Sequence, residues 1–184
     1  MTPNEILEEV KGQFQVLYIK DDNLYEILLK KALGVFQNRA GVIASINIDE
    51  KGKTEIDMPE DFLSIVTVCD ENLRYHESIV TIEKIKVKKQ ASTIWPLTIH
   101  YFVNLRDYNF DKDLPKSVNL SLFIEYLTVI IETANTARAK EIFITMGISA
   151  QTELPSIEEL KQRKDNIESI IDDSQAILPP ILVM

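Results

Sequence analysis

An α+β fold is predicted: a helix-bundle core with an inserted antiparallel β-rich excursion and an extended C-terminal arm. Three observations predict it. Apolar residues recur at helical spacing near both ends of the 184-residue chain, they switch to period two in the middle, and a long, almost wholly apolar helical stretch follows the switch. On this reading a single domain covers 1–174 and the arm covers 175–184. Helices are expected at about 3–18, 22–39, 117–146 and 157–172, with the excursion at about 43–106.

The first helix has a defined start, with Thr2 as cap, Pro3 at the first helical position and Glu5 at capping-box spacing. Ile6, Val10, Phe14 and Leu17 then share one face. Asp21 or Asp22 opens a second helix whose stripe reads Leu24, Ile27, Leu28, Ala32 and Val35, and Gly41 lies beyond its end. Alternation begins at Ile43–Ile48 and continues through 53–58, with Gly52 in the turn between. Pro59-Glu60-Asp61 interrupts it ahead of the β-branched run Phe62–Val68, expected to be a buried strand. Residues 79–88 alternate again, and Trp95, Leu97, Ile99, Tyr101, Val103 and Leu105 line one sheet face. Pro96 has no N–H to give to a ladder, so that last strand is expected to begin at an edge.

Leu114-Pro115 leads into the long helix, apolar nearly all round from Leu120 to Ile131 and therefore expected to be covered on most sides. Ala134, Ala137 and Ala139 permit close helix contact in its second half, and Gly147 supplies the stop. The final helix starts at Ser156 with Glu159 in capping-box position. Its stripe, Ile157, Leu160, Ile167, Ile170 and Ile171, skips a turn around Lys164, as on a partly exposed helix.

Composition narrows the function classes. Apolar residues at 45% and charged residues at 27% fit a folded soluble chain. The net charge of -9 argues against gripping nucleic acid through phosphates, a local basic patch aside. One cysteine, Cys69, rules out an internal disulfide and fits a reducing compartment. The opening residues have neither the basic region nor the apolar run of a secretory signal, and Glu125 interrupts the densest apolar stretch, so no membrane is expected.

Candidate chemistry is sparse, and neither a catalytic residue, a metal site nor a cofactor is expected. The five glycines form no phosphate-binding loop. His76 and His100 stand apart, and Cys69 with His76 across a hairpin makes too few ligands for a metal. Asp107, Asp111 and Asp113 lack the glycine and terminal glutamate of a calcium loop and read as a solvated turn. Glu125 is either a perturbed catalytic acid or a paired or surface carboxylate, and nothing beside it in the sequence supplies a second catalytic group. Lys84, Lys86, Lys88 and Lys89 form a basic strip open to DNA or an acidic protein, or else a solvated face that protects a sheet edge.

The arm is the most informative feature. In Ile177, Leu178, Pro179, Pro180, Ile181, Leu182, Val183 and Met184, two prolines oppose helix and favour extension, and the other six residues are apolar. Such a strip needs cover. It either folds back onto its own domain or, carried outward by the polar Asp172-Asp173-Ser174-Gln175 spacer, docks on another chain.

Two N-terminal helices, a β-rich excursion containing Met58-Pro59-Glu60-Asp61-Phe62-Leu63-Ser64-Ile65, a strand with Thr98-Ile99-His100-Tyr101, and Leu114-Pro115 before a core helix follow in a telling order. From about residue 4 to 140 this order resembles the head–tail connector (adaptor or ring) proteins of tailed bacteriophages, most sharply at 58–65. Members usually carry leucine where this chain has Met58, and the Pro-Pro ending matches no signature of the family. The resemblance implies a structural virion protein, assembled in the host cytoplasm into a homo-oligomeric ring, commonly of twelve copies. Such a ring extends the portal channel, contacts the portal protein and the next tail or ring protein, and lets DNA pass during genome ejection without specific binding. It carries over no catalytic residue. A second expectation is a soluble non-catalytic binding or regulatory module whose tail docks on a cellular partner, and a third is an enzyme using Glu125.

Overall fold

The computed structural model describes residues 1–147 and 154–176. Among the described residues, four helices and two small antiparallel sheets make a mixed α+β protein. Its contacts form two compact units, a helical one from Met1–Ala40 and Arg106–Gln175 and a β unit from Gly41–Leu105.

In the helical unit, α1 (Pro3–Gly12), α2 (Asp22–Arg39) and α4 (Ile157–Asp173) each pack against α3 (Leu120–Thr145). The capping boxes form as the sequence predicts: Thr2 and Glu5 close the start of α1, and Ser156 and Glu159 that of α4. Asp21 caps α2, Asn119 caps α3, and Gly147 ends α3 with φ +67. The first helix is shorter than the expected 3–18. It stops at Gly12, and Phe14 and Leu17 fall in an irregular segment. That segment has its own anchor. Asn135 on α3 accepts a hydrogen bond from the Tyr18 N–H (2.7 Å) and donates one to the Val16 carbonyl (3.0 Å), which satisfies backbone groups that a helix would have satisfied internally.

The buried face of α2 is turned by one residue from the expected stripe. Tyr25, Leu28, Leu29, Ala32, Leu33 and Phe36 are buried, whereas Ile27 is half exposed. Two stripes of similar hydropathy run along this helix, and the aromatic one wins because Phe36 meets the Phe123 ring edge-on at 5.2 Å. Along α3, Leu122, Phe123, Tyr126, Leu127, Val129, Ile130 and Ile131 are buried, leaving a narrow exposed strip at Ser121 and Glu125.

The skipped turn of α4 is filled by polar contact. Tyr126 donates to Glu168 Oε1 (2.8 Å), Lys164 reaches the same oxygen (3.0 Å), and Arg39 spans Glu168 (2.8 Å) and Asp172 (2.6 Å). Burial alone would raise the Glu168 carboxyl pKa, but the bonds from Lys164 and Tyr126 and the nearby cations outweigh it and hold the group below its ordinary value. Tyr126 is pushed up, by burial first and then by its bond to that carboxylate.

The β unit holds two three-stranded sheets. In the first, β6 (Leu97–Val103) lies between β1 (Ile43–Ile48) and β3 (Phe62–Cys69); in the second, β5 (Lys84–Val87) lies between β2 (Glu55–Asp57) and β4 (Ser78–Val80). Leu97, Ile99, Tyr101 and Val103 are buried in the expected alternation. Both sheets contribute to one core, Ile48, Val68, Ile85, Val87, Leu97 and Ile99, with Ile56, Phe62, Ile65 and Trp95 around it.

Three expectations for this unit are corrected. The strand after Pro96 is central rather than an edge, because the proline lies just outside the ladder and takes no donor from it. The Phe62–Cys69 strand is an edge, half exposed until Val66 and bulged between Phe62 and Ser64 and again between Ile65 and Thr67. Residues 79–88 hold a tight hairpin rather than one strand. Its turn contains no glycine, proline or asparagine. It is closed instead by Thr81, whose N–H and hydroxyl both donate to the Lys84 carbonyl while the hydroxyl accepts from the Lys84 N–H.

Two outcomes follow for the helical unit. Asn135→Ala should cost about 1–3 kcal/mol, from two lost bonds that leave Val16 and Tyr18 backbone groups unsatisfied, read by denaturant unfolding at 222 nm. Glu168→Gln should lower stability at neutral pH by about 2 kcal/mol. Since the folded carboxyl titrates below its unfolded value of 4.5, its contribution is complete above that value and disappears as the pH falls through the folded one. The gap between wild type and Glu168→Gln should therefore narrow as the pH falls from 7 through the lowered folded value.

Candidate functional site

The segment Met58–Ile65 forms the corner of the β unit. The Met58 N–H donates to the Glu83 carbonyl (2.8 Å), and the Phe62 N–H to the Pro59 carbonyl (3.1 Å). Asp61 is the hub, accepting the Tyr101 hydroxyl on its carboxylate (3.1 Å) and the Asn104 N–H on its carbonyl (2.7 Å). The Phe62 ring lies 5.8 Å from that of Tyr101. This cluster ties the loop between β2 and β3 to the central strand β6. Its chemistry is that of a fixed corner.

The lysines sit on and beside β5, in the middle of its sheet, so they do not guard an edge. Lys86 lies 2.9 Å and Lys84 3.9 Å from Glu55 on β2, and Lys88 pairs with Glu77. The Glu55 and Glu77 carboxyls are held below their ordinary range, each by the lysine bonded to it. Lys89 stands over the Trp95 ring, 5.5 Å from its centre, an aromatic contact that the local sequence around 84–89 does not display. Two carboxylates thus serve three of the four lysines, and all of these groups are solvent-facing.

Cys69 and His76 share a hairpin whose turn carries Leu73 at φ +60, but they are not opposite one another: the closing bridge joins Cys69 to Tyr75, and the His76 N–H donates to the Val68 carbonyl (2.9 Å). The working member of this cluster is Asp70, absent from the sequence reading. Its carboxylate accepts the N–H groups of Asn72 (2.9 Å) and Arg74 (3.0 Å) and lies 3.4 Å from His76 Nε2. Burial pulls the Asp70 pKa up, and the bonds from Arg74, His76, Asn72 and Ile94 more than reverse it. Burial, then the Asp70 charge, raises the Cys69 thiol pKa, which leaves it a poor nucleophile. A signal for Asp70 was available, since Asp-Glu-Asn-Leu is a turn in which an aspartate accepts from the backbone two residues on. The arrangement organises a turn. Among the described residues no group of three or more histidine, cysteine or carboxylate side chains is placed to hold a metal ion.

Glu125 is exposed on α3. His100 is half-buried, and burial lowers its pKa. Asp107, Asp111 and Asp113 are exposed in their loop, and Asp111 accepts from the Asn4 side chain (2.8 Å), which helps fasten that loop to α1. An open depression of about 650 Å³ beside residues 18–24 is floored by Ile19, Leu24, Ala134 and Ile142. Tyr18, Lys20, Asp21 and Arg138 complete its lining. The partner-binding residues Ile177 to Met184 lie outside the described residues. Among those that are described, no helix is long and apolar enough to cross a membrane.

In comparison with known proteins, no family model matches the sequence, and no curated protein matches it either.

Asp70→Asn should destabilise the β unit by about 1–3 kcal/mol at neutral pH, because the charge accepting several bonds is removed from a buried turn. The folded carboxyl titrates below its ordinary 3.8, so this deficit should vanish only as the pH falls through that lower value. The single Trp95 reports it by fluorescence during urea unfolding.

Proposed function

We propose that this chain is a non-catalytic assembly subunit, a ring-forming head–tail connector of a tailed bacteriophage, attached through its apolar arm. The observation that carries the reading is the 58–65 corner. The residues on which the resemblance rests are the ones that lock the β unit, through Asp61, Phe62 and Tyr101. An order of two helices, a β unit, a long helix and a further helix agrees with the expected connector plan. The exposed Glu125 and the bonds that occupy Asp70 weaken the case for an enzyme.

On this reading each copy places its arm on a neighbour, either the portal or the adjacent subunit. Apolar burial contributes at ~25 cal/mol per Å² before ordering costs. Closing a ring multiplies modest individual contacts through effective concentration. The excess of 29 acidic over 20 basic residues suits a channel that DNA must traverse without sticking.

Native mass spectrometry of the chain with and without residues 177–184 tests this. A ring formed alone or on adding portal, and lost with the arm, is the expected result. A monomer equally soluble and stable in both forms contradicts it and favours the binding-module alternative. The assembled ring should also bind duplex DNA weakly even at low salt, where tight binding would count against a channel role.

A further inference from the structure

The strand β4 is an edge that lacks the usual protection. Sheet edges are normally blunted by charge, proline, bulges or cover. In the β unit, β2 carries Glu55 and Asp57 with Pro59 close behind, β3 is bulged twice, and β1 turns Ser45 and Asn47 outward. The β4 sequence Ser78-Ile79-Val80 has none of these devices. Its apolar side chains are uncovered on both faces. Ile79 is 49% and Val80 46% exposed, and Ile82 at the hairpin tip is 96% exposed.

The ladder fixes which backbone groups are open. Lys88 donates to the Glu77 carbonyl and Thr81 to that of Lys84, so the bonded pairs to β5 fall at Glu77, Ile79 and Thr81. The N–H and C=O of Ser78 and Val80 therefore point away from β5. Among the described residues no hydrogen bond reaches these four groups. Val80 pairs with Ile85 and so shares the core-side face, while Ile79 pairs with Lys86 on the outer face. A strand laid along this edge would satisfy the open groups, continue the Ile85–Val87 core and cover Ile79 on the other side.

We infer that the occupant is the apolar arm of a neighbouring copy, with Ile181 to Met184 added beside β4 as a fourth strand. This inference rests on the assembly reading above and names the receptor for its arm. The match is one of length, charge and chemistry. The arm offers four consecutive apolar residues, each with an N–H, following two prolines that have none. No charged side chain lies between Ser174 and Met184, and none lies in β4. Eight residues in extended form reach about 28 Å, half of it in residues 177–180 ahead of the added strand.

Substitution at Val80 tests the inference cleanly. Its N–H faces the open edge, so Val80→Pro removes a docking donor while leaving every bond to β5 in place. The chain ending at Ala176 should bind a fluorescent peptide of residues 172–184, and Val80→Pro should weaken that binding at least about tenfold. Full-length Val80→Pro should also lose assembly to the extent that truncation does. Ile79→Lys, a side-chain change at a half-exposed site, should act in the same direction should the proline variant not fold. If truncation dissolves the assembly but both edge variants assemble and bind peptide normally, the β4 receptor is wrong and the assembly reading stands. If truncation changes nothing and the peptide does not bind, both fail. A monomer whose Ser78 and Val80 amides exchange faster only after truncation would place the arm on its own copy and overturn the docking between copies.

Discussion

A helix that is apolar on most sides cannot stand without cover, and the helical unit is arranged around that constraint. Three helices close on α3, two of them with apolar faces that are nearly complete. The rest of the cover is polar and needs individual fasteners. Asn135 ties down the irregular segment between α1 and α2, and Tyr126 with Arg39 ties down α4 through Glu168. Asn135 and Tyr126 are buried on α3 and already ordered by packing, so their bonds cost little further side-chain ordering.

The β unit solves a different problem. Six short strands make two sheets, each too small to bury a face alone, and they share one core. Loops with few apolar residues are then held by single acceptors: Asp61 at the corner, Asp70 in the hairpin turn and Thr81 in the tight turn. With the corners locked this way, the edges become the variable feature, and β4 is the one left apolar and open.

Element type and order were legible because the periods are clean and the caps are strong. Thr2, Asp21, Ser156 and Gly147 announce their helix ends in sequence and occupy them in the structure. What was not legible depends on contacts distant in sequence. Nothing near residue 13 says that Asn135 will support an extended segment there. The phase of α2 is set by Phe123, some ninety residues on. The 79–88 hairpin was hidden because a threonine hydroxyl performs what glycine or asparagine usually does. The arm was readable as a strip needing cover, whereas its proposed receptor appears only when the strand order shows which edge is bare.

Amide hydrogen exchange at single-residue resolution tests the central claim most directly. In the assembled full-length protein the Ser78 and Val80 amides should be protected, and removing residues 177–184 should make both exchange rapidly while Ile79, bonded to β5, changes little. Equal exchange at Ser78 and Val80 in the two forms would contradict the account.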